Sequence, residues 1–327
     1  MIERLLTYES GSLDPFLNLA TEQHLLDTVE GGCCLLYLWQ NQNTVVVGRN
    51  QNPWAECRCS LLEGEGGHLA RRLSGGGAVF HDLGNLNFTF LVPTEDYDLA
   101  KQQRVLLEAC RSFGVPAELS GRNDLTADGR KFSGNAFYRS GDKSYHHGTL
   151  LVDVDREKLS RYLTPSKAKL ETKGVPSVRS RVVNLIELCP GITVDGLKRA
   201  LVEAFEEVYG LKSQPKELTE DDRARIAELR EHYASWDWRF GQRLPFTCRV
   251  EGRFSWGGAE LQLEVKGGIV RAVRVYTDAM DHGLAAQAEA ALTGRLFQRE
   301  ALSRALAASG LAQDVQEDMT GLLDPLF

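Results

Sequence analysis

The 327-residue sequence lacks any apolar run long enough to cross a bilayer, which takes about 20 residues. Its longest apolar stretches are residues 35–39 and 44–47. The first residues also lack the uninterrupted apolar core of a signal peptide, because Glu3, Arg4 and Glu9 interrupt it. We therefore expect a cytoplasmic protein with no membrane partner.

The cysteines and the net charge exclude two further classes of protein. The seven cysteines include the close pairs Cys33 with Cys34 and Cys57 with Cys59, but neither pair has the Cys-x-x-Cys spacing that favours zinc or redox sites. The net charge of −7 argues against a dedicated nucleic-acid binder, because the phosphate backbone selects proteins with basic faces. We expect reduced, mostly structural thiols and no nucleic-acid partner.

Standard nucleotide-binding motifs are missing as well. No Gly-Lys-Ser/Thr ending completes a Walker loop, and no Gly-x-Gly-x-x-Gly stands between a strand and a helix. Residues 71–82, RRLSGGGAVFHD, instead place two arginines before three consecutive glycines. Glycines let a ligand approach backbone N–H groups, and arginines offer forked donors for phosphate or carboxylate. The glycines alone are equally typical of a tight turn, but the arginines favour an anion site.

A basic segment at residues 161–181 supports an anionic ligand. It contains six lysines and arginines and a single glutamate, although the whole chain is acidic. A cluster of one sign concentrates the electrostatic field and attracts the opposite charge. A solvated surface run is the alternative interpretation.

The hydrophobic pattern predicts strands in hairpins. Residues 33–39 and 44–48 are predicted to form one buried hairpin, and residues 130–139 and 143–152 a second one with its turn at 140–142. Period two would place Lys131, Ser133 and Asn135 on one polar face of their strand. Further strands are predicted at residues 86–92, 261–265 and 269–275, and helices from Asp14 to Leu26 and at residues 99–113, 192–209, 220–233 and 284–309.

Strands that come in hairpins, without alternating helices, disfavour a doubly wound parallel sheet. We predict an α+β fold with a mixed, largely antiparallel sheet flanked by helices. The length favours two domains, and the pattern changes after the aromatic cluster at residues 236–241. The predicted domains are residues 1–243 and a small α+β domain at 244–327.

Five ordered blocks make the sequence resemble the lipoate–protein ligase A family along nearly its whole length: residues 45–57, 71–90, 121–139, 146–151 and 173–185. The resemblance implies a catalytic domain like those of the class II biotin and lipoyl synthetases, followed by the family's accessory C-terminal domain. It also implies that lipoate and ATP form lipoyl adenylate and pyrophosphate. The lipoyl group then passes to a lysine of an apo lipoyl domain, on the E2 subunit of a 2-oxoacid dehydrogenase or on the glycine-cleavage H protein.

The resemblance implies roles for individual residues. Lys131 is the implied catalytic residue, which holds both ATP and the lipoate carboxylate. The other implied ATP- or adenylate-binding positions are Arg72, Gly77, Ala78, Val79, Phe80, Ser177, Val178 and Arg179, and the other implied lipoate-binding positions are Ser74, Gly75, Gly76 and His81.

The chemistry of activation agrees with these roles. A carboxylic acid is ionised at neutral pH, so adenylation needs positioning and charge neutralisation and no general base. Lys131 is a compact charge that suits this task, although an isolated strand lysine would ordinarily be a surface residue. Magnesium is expected with ATP, and Asp124 is the candidate ligand ahead of Asp82. Either aspartate could instead cap a local turn.

The second step leaves some assignments open. The acceptor lysine must lose a proton, and the candidates for a base, His146 and His147, are more typical of packed strand histidines. Asn85 and Asn87 either line a lipoyl tunnel or lie within the sheet.

Three related activities are alternatives. An octanoyltransferase needs a nucleophilic cysteine, and the sequence has none between Arg111 and Leu188. A biotin ligase is disfavoured because residues 48–51, GRNQ, only faintly match the Gly-Arg-Gly-Arg signature. A transferase that uses preformed lipoyl adenylate would share the glycine loop and the length, so it remains open.

Overall fold

A computed structural model describes residues 1–121, 123–164, 182–240 and 248–327. The strands are β1 (Arg4–Glu9), β2 (Cys33–Trp39), β3 (Thr44–Val47), β4 (His68–Arg71), β5 (Val79–His81), β6 (Asn85–Pro93), β7 (Glu118–Ser120), β8 (Asp124–Ala127), β9 (Arg130–Ser140), β10 (Lys143–Leu151), β11 (Ser213–Pro215), β12 (Cys248–Phe254), β13 (Gly257–Lys266) and β14 (Ile269–Thr277). The helices are α1 (Pro15–Thr28), α2 (Pro53–Glu56), α3 (Cys59–Gly64), α4 (Leu99–Arg111), α5 (Arg156–Tyr162), α6 (Leu185–Leu188), α7 (Val194–Tyr209), α8 (Glu220–Ala234), α9 (Trp236–Phe240), α10 (Leu284–Leu292), α11 (Arg299–Ala307) and α12 (Gln313–Leu323). None of these helices has the length and apolar character of a membrane span.

The main sheet has eight strands in the order β11-β1-β2-β6-β10-β9-β8-β7. β1 pairs in parallel with both β2 and β11, and every other neighbouring pair in this sheet is antiparallel. The prediction of a mixed, largely antiparallel sheet in an α+β fold is therefore confirmed.

Both faces of the main sheet are covered. Leu36, Phe88 and Phe132 belong to a buried core shared with α4 and α7. Tyr37 and Tyr145 belong to a second core shared with α1 and α8 on the other face. A strand buried on both faces shows no polar–apolar alternation, which is why β2 appears in the sequence as a continuous apolar run.

The predicted hairpin of residues 33–39 and 44–48 is wrong, although both strands exist. β2 lies in the main sheet, whereas β3 lies between β4 and β5 in a separate three-stranded sheet. Continuous apolar runs do not specify a partner or a register, because no face is marked as exposed. The four-residue linker does not close a hairpin but carries the chain from one sheet to the next.

The second predicted hairpin, β9 with β10, is confirmed, and Gly141 turns it with φ of 58°. The predicted alternation along β9 is wrong, however. The register between β8 and β9 shifts between Leu125 and Thr126. Lys131 consequently lines the same cavity as Gly134 and Ala136, which strict alternation would have placed on the opposite face of the strand.

The helix starts follow their sequence signals. The Asp14 side chain caps α1 by accepting from the N–H groups of Phe16 and Leu17, and Thr219 forms a capping box with Asp222 at the start of α8. The predicted helix at residues 284–309 is divided into α10 and α11, between which Gly294 has φ of 79°.

The C-terminal strands β12, β13 and β14 form a third sheet, which packs with α10, α11 and α12. The core of this unit is made of residues 250–323. The end of β14 and the segment after it contact the first part of the chain. The Thr277 N–H donates to the Asn50 carbonyl oxygen at 2.9 Å, and Asn50 Nδ2 donates to the His282 carbonyl oxygen at 2.9 Å.

Candidate active site

A cavity of about 150 Å³ lies between the glycine loop and the main sheet. The glycine loop, residues 72–78, leaves the end of β4 and returns along β5, and β3 between these strands holds its two ends together. Residues from α1, β2, β6, β9 and β10 complete the wall. The predicted site residues that line it are Arg72, Gly76, Gly77, Ala78, Val79, His81 and Lys131.

The cavity runs across four strands of the main sheet. Trp39 on β2 is in register with Asn87 on β6, and Asn87 is in register with Thr149 on β10. Thr149 Oγ1 accepts from the Gly134 N–H on β9 at 3.3 Å. Three strand spacings of about 4.8 Å separate the ends of this row, which is therefore roughly 14 Å long.

The two ends of the row differ in chemistry. At the β9 end, a Cβ on Gly134 would lie 3.0 Å from Lys131 Nζ, so the lysine ammonium is beside this strand. At the β2 end, the rings of Trp39 and His81 meet edge to face with centroids 6.1 Å apart. One end of the cavity is cationic and the other is aromatic.

Lys131 is held by an acid and by the backbone. Its Nζ is 2.7 Å from Asp124 Oδ1, and both side chains are about one-third exposed, at 38% and 34%. Its carbonyl oxygen accepts from the Val183 N–H at 2.9 Å. The chain that follows the basic segment is thus bound to β9 at Lys131, whereas Ser177, Val178 and Arg179 lie outside the described residues.

Arg72 shapes the glycine loop from inside. Its guanidinium donates to the carbonyl oxygens of Gly75 at 2.6 Å, Gly77 at 2.8 Å and Val46 at 3.2 Å, and to Ser74 Oγ at 3.0 Å. Burial lowers the pKa of Arg72 to about 10, so the side chain remains charged at neutral pH. In these contacts the buried cation is bound only by neutral oxygens. Its positive charge contributes to the electrostatic potential in the cavity.

The remaining residues of the predicted motif lie behind the cavity wall. Ser74 is a fully buried residue within the loop, and Phe80 packs against Tyr162 with ring centroids 5.5 Å apart. The Gly76 N–H donates to the Ala279 carbonyl oxygen at 3.2 Å, and a Cβ on Gly75 would overlap that same oxygen. The segment after β14 therefore covers the loop.

Several residues of the wall were not predicted. Met280 reaches the cavity from the segment after β14, and Leu19 and Trp39 reach it from α1 and β2. In the sequence these are ordinary apolar residues of a helix, a strand and a loop, so no local signal marks them.

A buried acid supports the site through a histidine. His147 Nδ1 is 2.8 Å from Glu22 Oε1, and His147 Nε2 is 2.8 Å from Ser74 Oγ. Thr89 Oγ1 also donates to Glu22, at 2.7 Å. Both ring nitrogens of His147 are therefore engaged, as the packed interpretation of this residue predicts.

His146 is also packed. Its Nε2 is 2.8 Å from Asn135 Oδ1, and its ring lies among Phe88, Phe90 and Phe137. Burial lowers its pKa to about 3, so the ring is neutral at neutral pH.

The two candidate magnesium ligands have different surroundings. Asp82 accepts from the N–H groups of Gly84 and Asp155, both at 2.8 Å, as a turn-capping aspartate does. Asp124 faces Lys131 instead. The described residues contain no group of three acidic, histidine or cysteine side chains that would hold a metal alone. Magnesium that accompanies ATP needs only one or two carboxylates besides the phosphates, so Asp124 fits that role.

Of the described residues, no cysteine lines the cavity. Five of the seven cysteines are buried, and Cys189 and Cys248 are partly exposed elsewhere. A thioester route through this cavity therefore has no nucleophile among its described walls.

Family models match two parts of the chain. The lipoyl protein ligase A/B catalytic domain matches residues 14–206, and the bacterial lipoate protein ligase C-terminus matches residues 244–321. Lipoate-protein ligase A from Psychrobacter cryohalolentis is 45% identical over 286 residues, 85% of this chain and 84% of its own. Lipoate-protein ligase A from Bdellovibrio bacteriovorus is 41% identical over 312 residues, 93% of this chain and 92% of its own.

Solved structures of lipoate ligases are also similar to this chain. P. falciparum LipL1 in complex with lipoate has a TM-score of 0.84 at 26% identity, over 97% of this chain and 98% of its own. The bipartite lipoate protein ligase of Thermoplasma acidophilum, described with its E2 lipoyl domain, has a TM-score of 0.66 at 26% identity, over 76% of this chain and 100% of its own. A lipoate-protein ligase A bound with ATP has a TM-score of 0.64 at 27% identity, over 74% of this chain and 99% of its own.

Proposed function

The chain belongs to the lipoate–protein ligase A family, and on that premise we propose that its cavity binds lipoate and ATP side by side and joins them as lipoyl adenylate. The enzyme is a ligase that attaches lipoate to lipoyl-domain proteins. Adenylate formation releases pyrophosphate, and the later attack of the acceptor lysine releases AMP.

The observation that supports this proposal most directly is the polarity of the cavity. Lys131 lies at the β9 end and the Trp39–His81 pair at the β2 end of the row of strands, which spans three strand spacings, or roughly 14 Å. A carboxylate at Lys131 and an acyl chain directed toward Trp39 would match both ends. Lys131 would neutralise the carboxylate and the α-phosphate together, so that two anions can approach each other.

ATP would occupy the side of the cavity formed by the glycine loop. Gly77, Ala78 and Val79 line this side, and the buried guanidinium of Arg72 donates to the carbonyl oxygens of the same loop. We assign Ser177, Val178 and Arg179 to the adenylate as well, from the family resemblance. Asp124 would supply one carboxylate oxygen to magnesium beside the phosphates.

We further propose a division into a catalytic domain at residues 1–243 and an accessory domain at 244–327. The separate core of residues 250–323 supports it, although the boundary itself lies outside the described residues. The proposed acceptors are apo lipoyl domains of 2-oxoacid dehydrogenase E2 subunits and the glycine-cleavage H protein.

The test is an assay of the purified protein with lipoate, Mg-ATP and an apo lipoyl domain. We expect pyrophosphate release and a lipoyl mass increment on the acceptor, and we expect a chelator to abolish both until magnesium is restored. Transfer from synthetic lipoyl adenylate without pyrophosphate release from lipoate and ATP would instead identify a transferase that lacks the activation step.

A further inference from the structure

His81 and Asn87 differ from the other polar residues of the cavity. Both ring nitrogens of His147 have partners, and the ammonium of Lys131 has a carboxylate partner. In the described part of the chain, His81 Nε2 and Asn87 Nδ2 are buried atoms of cavity-lining residues that have no hydrogen-bond partner. A buried polar group without a partner is uncommon and calls for an explanation.

The hydrogen-bond network fixes which nitrogen of His81 carries the proton. Asn18 Nδ2 donates to the backbone carbonyl oxygens of Ser12 at 3.0 Å and Gln40 at 2.8 Å, and carbonyl oxygens can only accept. The same amide NH2 group, which has donors only, is 3.0 Å from Asn41 Oδ1, and a flipped Asn41 would set two donor groups against each other. Asn41 therefore presents its Nδ2–H group to His81 Nδ1, at 3.2 Å. Nδ1 is therefore the acceptor, and the proton is on Nε2.

The charge state of His81 agrees with this tautomer. Burial, together with the positive charge of Arg72, lowers the pKa of His81 to about 3, so the ring is neutral under assay conditions. The ring lies at the aromatic end of the cavity beside Trp39, at the opposite end of the sheet row from Lys131. A carboxylate held by Lys131 would direct the far end of its acyl chain to this place.

We propose that the Nε2–H group of His81 recognises sulfur at the far end of the acyl chain, and thereby selects acids that end in a dithiolane over acids that end in hydrocarbon. This inference rests on the proposed function. The residue is specificity-determining: it does not take part in the bond changes at the carboxylate.

The preference follows from hydrogen bonding in a buried site. Divalent sulfur is a weak acceptor, but it gives the N–H group a partner. A hydrocarbon end would leave the N–H group buried and unpaired, and sites built to form a hydrogen bond reject ligands that cannot form it. We expect about a tenfold preference in kcat/KM, since the acceptor is weak.

The experiment compares lipoate with its carbocyclic analogue, in which both ring sulfurs are replaced by CH2 so that shape is nearly conserved. Adenylation of each acid is followed by pyrophosphate release. Two variants accompany the wild type. His81→Phe removes the N–H group, whereas in His81→Gln the amide oxygen can accept from Asn41 and the amide nitrogen can replace Nε2–H.

We expect the wild type and His81→Gln to prefer lipoate about tenfold and His81→Phe to use the two acids within about twofold of each other. Equal use of both acids by the wild type would overturn the inference while leaving the proposed function intact, and this comparison does not depend on how well any variant folds. Retention of the preference in His81→Phe would also overturn it. Failure of the wild type to release pyrophosphate with either acid would reject the proposed function itself.

Discussion

Replacement of Lys131 by alanine separates catalysis from stability. The side chain lies at the cationic end of the cavity, and its ion pair with Asp124 has a distance of 2.7 Å. The alanine variant keeps the backbone contact of residue 131 with Val183, because that bond uses the main-chain carbonyl. The change therefore removes a charge without removing the strand.

The two expected effects differ greatly in size. The ion pair is about one-third exposed on both sides, and pairs of this kind contribute roughly 0–1 kcal/mol to the free energy of unfolding. A loss of that size shifts Tm by only about 2–4 °C in a protein of 150–250 residues, and by less in a longer chain. Loss of a group that stabilises the developing charge of the transition state lowers turnover by about 10²–10³-fold.

The assay measures pyrophosphate release with lipoate and ATP, alongside thermal unfolding. Arg130→Ala is the matched control, because Arg130 is the adjacent residue, is 40% exposed and pairs with Glu187 at 3.8 Å, and it does not line the cavity. We expect the control to lose as little stability as Lys131→Ala and to keep its turnover. Turnover within about threefold of wild type in Lys131→Ala would refute the role of this charge.

Three further predictions follow from glycine contacts and buried histidines. Gly134→Ala places a Cβ 3.0 Å from Lys131 Nζ, so the KM for lipoate in the pyrophosphate assay should rise several-fold with little change in Tm. Gly84→Ala overlaps a backbone carbonyl that cannot move aside, so calorimetry should show a loss of about 2 kcal/mol or more. His81 and His146 have pKa values of about 3 in the folded state, against about 6.5 when unfolded, so the unfolded state binds more protons between these values. Their contribution to the free energy of unfolding is complete above about pH 6.5 and is lost as the pH falls toward 3, by about 1.4 kcal/mol per pH unit for each histidine. Urea titrations at several pH values should therefore show that the free energy of unfolding of the His81→Phe variant depends less steeply on pH than that of the wild type.

The sequence predicted elements whose signals are local. Asp14 with Pro15 predicted the start of α1, Thr219 predicted the cap of α8, and Gly141 marked the turn between β9 and β10. Each of these signals is a residue that satisfies the backbone within a few positions of itself. Strand partners were not predicted in the same way, and the pairing of β2 with β3 was wrong because neither strand has an exposed face.

The residues that line the cavity were predicted to lie together only where they fall in the family's motif blocks. The contacts that set the chemistry of those residues join distant positions: Glu22 and His147 are 125 residues apart, and Asn41 and His81 are 40 apart. Such pairs leave no trace in spacing or periodicity. The protonation state of His81 depends on the side-chain amides of Asn18 and Asn41, the first of which donates to the Gln40 carbonyl oxygen. Only the folded structure brings these groups together.

The two cations of the cavity have different tasks because their surroundings differ. Arg72 is buried, and its donors bind the carbonyl oxygens of Gly75 and Gly77, so it gives the loop its shape and cannot turn toward an arriving anion without breaking that shape. Lys131 is 38% exposed on a flexible stem and is paired with a single carboxylate. An incoming carboxylate or phosphate can therefore compete with Asp124 for its ammonium. On the proposed function, the Asp124 carboxylate released in that exchange would then be free to bind a magnesium ion that accompanies ATP.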